Sequence, residues 1–202
     1  MKTKLLMVAL LTCAYLYSNA QVEKGSTLIG GDVSFASKSD TAKMRGGMVT
    51  LKAGRAFSEN VVWGVWGAIG HTTTRSRYNS FQTKSDTYGG GVFNRLYKPL
   101  GKGFNLYGET SLSYMHMVFT SSDENLKPTR DQVSLGFSPG ISYKIFDWAQ
   151  LELTLPNILS VNYTSTRTVF GGTKLKDKHF NVNTSLSGST ADLLGLGFTL
   201  LF

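Results

Sequence analysis

Read back from Phe202, the chain alternates. Phe202, Leu200, Phe198, Leu196 and Leu194 are large and apolar, while Gly195, Gly197 and Thr199 between them are small. Successive side chains on a strand point to opposite faces, so residues 193–202 predict a strand with one greasy and one lean side. In water, an apolar strand closing on an aromatic is an aggregation hazard. In a closed barrel within lipid the same strand pairs with the first, and its apolar face meets acyl chains. The rival reading is the last core strand of a secreted β-sandwich.

Seven earlier stretches carry the same period of two. Residues 27–37 set Ile29, Gly31, Val33 and Phe35 against Asp32 and Ser34. Residues 46–56 set Val49, Leu51 and Ala53 against Met48, Thr50 and Lys52. Residues 61–71 are apolar on both sides; Val61, Trp63, Val65 and Ile69 are assigned outward because Gly64, Ala68 and Gly70 suit a crowded interior, with Trp66 as an inward filler. Residues 88–97 place Val92 and Leu96 out, Phe93 and Arg95 in. The strand from Phe104 alternates cleanly, Leu106, Leu112 and Tyr114 against Asn105, Tyr107 and Glu109. Residues 132–145 do so again, with Pro139 on the outward face suggesting a bulge. A seventh strand opposes Leu151, Leu153 and Leu155 to Glu152 and Thr154. Residues 179–190 read equally as a strand extension or a separate hairpin arm.

Two regularities bind these segments into an all-β, eight-stranded antiparallel up-and-down transmembrane β-barrel. The expected connections alternate, about eight, four, fourteen, six, twelve, four and sixteen residues, and outer-membrane barrels have long outer loops and short periplasmic turns. Charges within strands fall on the lean face: Asp32, Glu109 and Glu152 against Lys52, Arg95 and Lys144. A basic residue on the lipid face at the bilayer midplane costs about 2–4 kcal/mol, so this phase matters. Three acids facing three bases predict a paired interior network.

Charge and targeting refine the picture. Lys2 and Lys4, the apolar run from Leu5 to Tyr17 and Ser18-Asn19-Ala20 read as a signal peptide over 1–20, with the barrel domain over 21–202. The run is too short to span a bilayer as a helix. Lipoprotein processing at Cys13 is the alternative, although Thr12 fits it poorly. Cys13 is the one cysteine, so a cleaved chain holds neither disulfide nor thiolate metal site. The net charge of +8 could suit nucleic acid, but an export signal argues against it and favours an anionic leaflet or surface polymer.

With these segments in place, the chain resembles the outer-membrane β-barrel family of the eight-stranded OmpA and OmpX type, often called porin-like. The resemblance rests on Lys52-Ala-Gly-Arg-Ala-Phe-Ser-Glu-Asn60, on the stretch Asn94-Arg-Leu-Tyr-Lys-Pro-Leu-Gly-Lys-Gly-Phe-Asn-Leu-Tyr-Gly-Glu109, and on the terminal Gly-Phe-Thr-Leu-Leu-Phe202. It implies a Gram-negative outer-membrane location and a meeting of Arg95 with Glu109 in the lumen. It also implies a terminal strand, Leu194, Leu196, Phe198, Leu200 and Phe202, read by barrel-assembly machinery.

Candidate chemistry is sparse. His71, His116 and His179 lie near outer strand ends; Ser113 has the opposite parity to His116, and no orienting carboxylate is placed by sequence. No metal site, cofactor or catalysis is therefore expected. Glycines at 46–47, 89–91 and 171–172 lack the Lys-Ser/Thr and helix of a phosphate loop. Tyr88, Tyr97, Phe104, Tyr114, Tyr143, Trp148 and Tyr163 are expected in the interfacial girdle. Outer loops are expected to carry Arg75, Arg77, Lys84, Arg167, Lys174, Lys176 and Lys178, facing lipopolysaccharide phosphates or an acidic surface partner. An eight-stranded interior is filled by side chains. The expectation is a monomeric, non-enzymatic protein of envelope integrity or surface interaction; a narrow channel and a secreted binding module are the alternatives.

Overall fold

A computed structural model describes residues 22–39, 42–76, 82–121, 128–170, 173–184 and 195–202. The expected signal segment, Arg77 and Leu194 lie outside these residues. Within them the chain is strand and turn: β1 (Thr27–Ser39), β2 (Ala42–Ser58), β3 (Val61–Ser76), β4 (Gln82–Gly101), β5 (Phe104–Ser121), β6 (Thr129–Phe146), β7 (Ala149–Thr154), β8 (Leu159–Phe170), β9 (Thr173–Thr184) and β10 (Gly195–Leu201). Every pairing is antiparallel, and β1 through β7 close through β10 back onto β1 as a ring of eight. Thr27 and Phe202 exchange backbone hydrogen bonds of 2.6 and 3.0 Å at the seam.

The two ends of the barrel differ. At the near end, which holds Val22 and Phe202, hairpins turn on two residues: Glu59–Asn60, Lys102–Gly103 and Asp147–Trp148. Lys102 and Gly103 both have positive φ (51° and 82°), as a hairpin turn matching strand twist requires. Each of these hairpins carries a register shift beside its turn, at Ala56/Ser58, Pro99/Gly101 and Lys144/Phe146.

At the far end the strands run much further than the sequence suggested. In the stretches expected as loops, 38–43, 72–86, 119–130 and 164–178, the described residues are almost all strand. A polar segment wetted on both faces has no hydrophobic alternation, so its strand character leaves no periodic trace. β5 and β6 have 18 residues each. At about 3.3 Å per residue and a tilt near 40°, that is roughly 45 Å of height against an apolar band of about 25 Å.

Strand seven is broken. β6 pairs with β8 through Phe137↔Leu159 and with β7 from Gly140↔Thr154, so four residues, Leu155 to Ile158, stand opposite two. The irregularity anticipated at Pro139 thus falls on its neighbour. Asn157 takes φ 49° there, its N–H donates to Ser138 Oγ (2.8 Å), and the Leu155 N–H donates to the Pro139 carbonyl (2.9 Å). Of the ambiguous segment 179–190, residues 179–184 belong to β9, a hairpin partner of β8 whose residues 175–184 are exposed on both faces, and residues 185–190 lie outside the described residues.

The outward band is apolar, with Leu51 70% and Leu112 51% exposed, while Phe93, Tyr107, Leu28 and Val62 are buried inside. The buried apolar cluster sits low in the lumen: Val22, Leu28, Ala56, Val62, Phe93, Tyr97 and Tyr107, with Trp66 and Leu201 against it. Val22 is locked there by its own backbone. Its N–H donates to Asn60 Oδ1 (3.0 Å), and its carbonyl accepts from the Asn60 N–H (2.9 Å).

Candidate functional site

Directly above that apolar floor lies the charged network. Arg95 on β4 is 1% exposed and spends its whole guanidinium on neighbours. Nε and Nη2 donate to Glu109 Oε2 on β5 (2.9 and 2.6 Å), and Nη1 donates to Glu152 Oε1 on β7 (2.6 Å) and to Tyr97 Oη (2.9 Å). Its Cζ lies 4.4 Å from the Tyr107 ring centroid, with Phe93 and Tyr97 further round. Lys52 on β2 donates to Glu109 Oε1 (2.8 Å) and sits 3.5 Å from Asp32 Oδ2 on β1. Thr199 on β10 donates to Glu152 Oε1 (2.7 Å), and Tyr107 and Thr154 share a hydrogen bond beside it. The network therefore ties strands from opposite walls across the lumen.

Lys144 stays out of it. Its Nζ pairs with Asp147 Oδ1 (2.8 Å) in the near-end turn, so the cluster holds two bases for three acids rather than a balanced set. Hydroxyls take the place of the third base: Thr199 and Tyr107 both point at Glu152. In the turn, the hydrogen bond from Lys144 and its charge hold the Asp147 carboxyl below the usual carboxylate range. Above the network the lumen becomes a neutral ladder in which Gln132, Ser134, Asn162 and Ser160 bond to one another at 2.5 to 3.1 Å.

The outer wall carries a second pattern. Ile69, Tyr88, Tyr114, Val133 and Phe180 are exposed apolar residues, and the next outward position on each strand is polar or charged: His71, Asp86, His116, Asp131 and Lys178. His71 pairs with Asp86 (2.7 Å) and His116 with Asp131 (2.8 Å), each across one hairpin. Asp131 also accepts from Tyr114 Oη (2.6 Å), and Arg167 stands 3.9 Å away. His179 pairs with Asp177 (2.7 Å). The described members of the basic set expected in loops are on these strand extensions instead. Arg75, Lys84, Arg167, Lys176 and Lys178 share the outward face by register and are exposed, and Lys174 belongs to β9.

Thr73 Oγ1 lies 3.2 Å from His71 Nε2, completing a Thr–His–Asp chain. Residues two apart on one strand face are brought together by the pleat itself. Ser113 and His116 face opposite sides, and Ser113 donates to the Ser134 carbonyl (3.3 Å). Among the described residues no cluster of three metal-ligating side chains occurs.

Two solved structures share this architecture over most of their length. One is a major outer membrane protein from Thermus thermophilus, with a TM-score of 0.52, 11% identity, and coverage of 88% of this chain and 99% of that one. The other is the outer membrane protein OprG from Pseudomonas aeruginosa, with a TM-score of 0.53, 15% identity, and coverage of 90% and 97%. The chain folds as an outer-membrane β-barrel. No protein-family model matches the sequence, and no curated protein matches it.

Within the barrel, sequence reasoning missed Tyr97, which belongs not to the expected girdle but to the interior, where it is 6% exposed. Its parity with Phe93 and Arg95 was the available signal. Thr199 and Tyr107 fall on the lean face by pattern, but nothing local marks them as donors to Glu152, which lies 47 and 45 residues away in the chain.

Proposed function

We propose that the protein is an integral outer-membrane barrel, exported on a cleaved leader over residues 1–20, that supports the envelope or engages a surface and performs no catalysis. The filled lumen is the observation that carries this reading. Arg95, Glu109 and Glu152 are bonded across it above a floor of Phe93, Tyr107, Leu28 and Val62, all nearly solvent-free. An eight-stranded interior offers no room for an aqueous bore beside such side chains. With both chain ends periplasmic, the far end is extracellular, and its polar strand extensions are the part able to meet a partner. Membrane lipid, lipopolysaccharide and an acidic surface ligand fit their charge. β10 is the segment the barrel-assembly machinery would read, and the working unit is a monomer.

The narrow channel is the second reading, favoured by the polar ladder of Gln132, Ser134, Asn162 and Ser160 in the outer half of the lumen. Planar-bilayer recording separates the two. The refolded protein is expected to give no single-channel steps; a reproducible conductance would overturn the closed-lumen reading. The membrane placement has its own check. The folded protein should need detergent to stay dispersed and should shift its gel migration on boiling.

A further inference from the structure

Above the apolar band, the outer wall of β1, β2 and β3 holds a hollow of about 640 Å³. Gly47 lies in its wall, and the Phe35 ring, 73% exposed, lies beside it, 3.5 Å from where a Gly47 Cβ would stand. Lys43 and Arg45 on β2 and Arg75 on β3 line it, all exposed, together with His71 and Thr73; no carboxylate is among its lining residues. Register puts Lys43 opposite Arg75 and Arg45 opposite Thr73, so the three cations stand within two rungs of the ladder on one face. The nearest described outward acid, Asp86, is already paired with His71.

The position gives the arrangement its meaning. Phe35 and Ile69 are the last apolar outward residues of β1 and β3, and the cations begin immediately beyond. We infer that this hollow is a binding site for the phosphorylated headgroup of an outer-leaflet lipid, with an acyl chain lying on Phe35 and the phosphate held by Lys43, Arg45 and Arg75. The inference rests on the membrane placement proposed above. Guanidinium groups bond phosphate oxygens bidentately, and Lys adds a mobile point charge. An aqueous ligand would have no use for the exposed ring at the band's edge, whereas a lipid presents chain and phosphate at that separation of depths.

The test uses the full-length refolded chain in dodecyl maltoside, titrated with diphosphoryl lipid A and read by native mass spectrometry. Replacing all three cations (K43Q, R45Q and R75Q together) is expected to weaken retention at least tenfold, and F35S several-fold. A control carrying K24Q, R55Q and K98Q removes the same charge from exposed near-end positions and should bind as the parent does. Each variant is first checked for the boil-dependent gel shift of a folded barrel. The site assignment is overturned if the far-end triple binds normally, or if both triples lose binding alike. It is equally overturned if dephosphorylated lipid A binds as tightly, or if equimolar inorganic pyrophosphate displaces the lipid, which would make it a free-phosphate site. Release of fatty acid would overturn simple holding and assign chemistry to Thr73, His71 and Asp86. A chain that stays dispersed without detergent fails the membrane reading itself, a result separate from all of these.

Discussion

The lumen network predicts an asymmetry between removing its base and removing one of its acids. Arg95 makes four hydrogen bonds, two to Glu109 and one each to Glu152 and Tyr97, while 1% exposed. Arg95→Leu leaves Asp32, Glu109 and Glu152 with Lys52 alone, and the side chains of Glu109 and Glu152 are only 7% and 5% exposed. Stranding a buried partner in this way costs about 3–5 kcal/mol, roughly a hundred- to a few-thousand-fold in the folding equilibrium. Glu152→Gln acts differently. It turns two bases and three acids into a balanced set, and the amide oxygen still accepts from Arg95 and Thr199. Its cost should stay near that of one ordinary hydrogen bond, about 0.5–1.5 kcal/mol. Urea unfolding in lipid vesicles, followed by the fraction keeping heat-modifiable migration, measures both. The Arg95→Leu/Glu109→Leu double variant should recover part of the loss, because one stranded acid is gone. Equal costs for Arg95→Leu and Glu152→Gln would refute the reasoning, as would an Arg95→Leu cost below about 1 kcal/mol, since either result means water already screens the cluster.

Two further outcomes follow from the wall and the turn. Leu112→Arg, at an outward position 51% exposed, should cost about 2–4 kcal/mol in vesicles if that face meets lipid, and almost nothing if it meets water; the same urea titration distinguishes them. Asp147, depressed by its hydrogen bond from Lys144, adds stability that is complete above its unfolded pKa and fades as pH falls through the lower folded value. A carbonyl-carbon NMR titration should find it ionised below the usual carboxylate range, and Lys144→Met should restore an ordinary midpoint.

Facing was legible in the chain because it is local. The alternation around Leu106 and Glu109, or Leu51 and Lys52, sets which side chains share a wall before any partner is known, and the structure keeps those assignments. The meeting of Arg95 with Glu109, which the family resemblance implied, follows in the structure from register, since the two stand opposite each other on hairpin neighbours.

What closure alone decided are the contacts across the bore and the length of the far end. Arg95 reaches Glu152 and Lys52 reaches Glu109, each over 57 residues, because the ring brings strands three places apart within side-chain range. Tyr107 reaches Thr154 over 47 residues by crossing Gly140, the β6 residue that pairs with both. Lys144 shares the right face but sits too close to the turn, where Asp147 claims it. The cations along Arg75, Lys84, Arg167 and Lys176 looked like loop residues, because a strand wet on both sides has nothing to alternate. Only backbone pairing makes them strand, and only its register turns them onto one outward face.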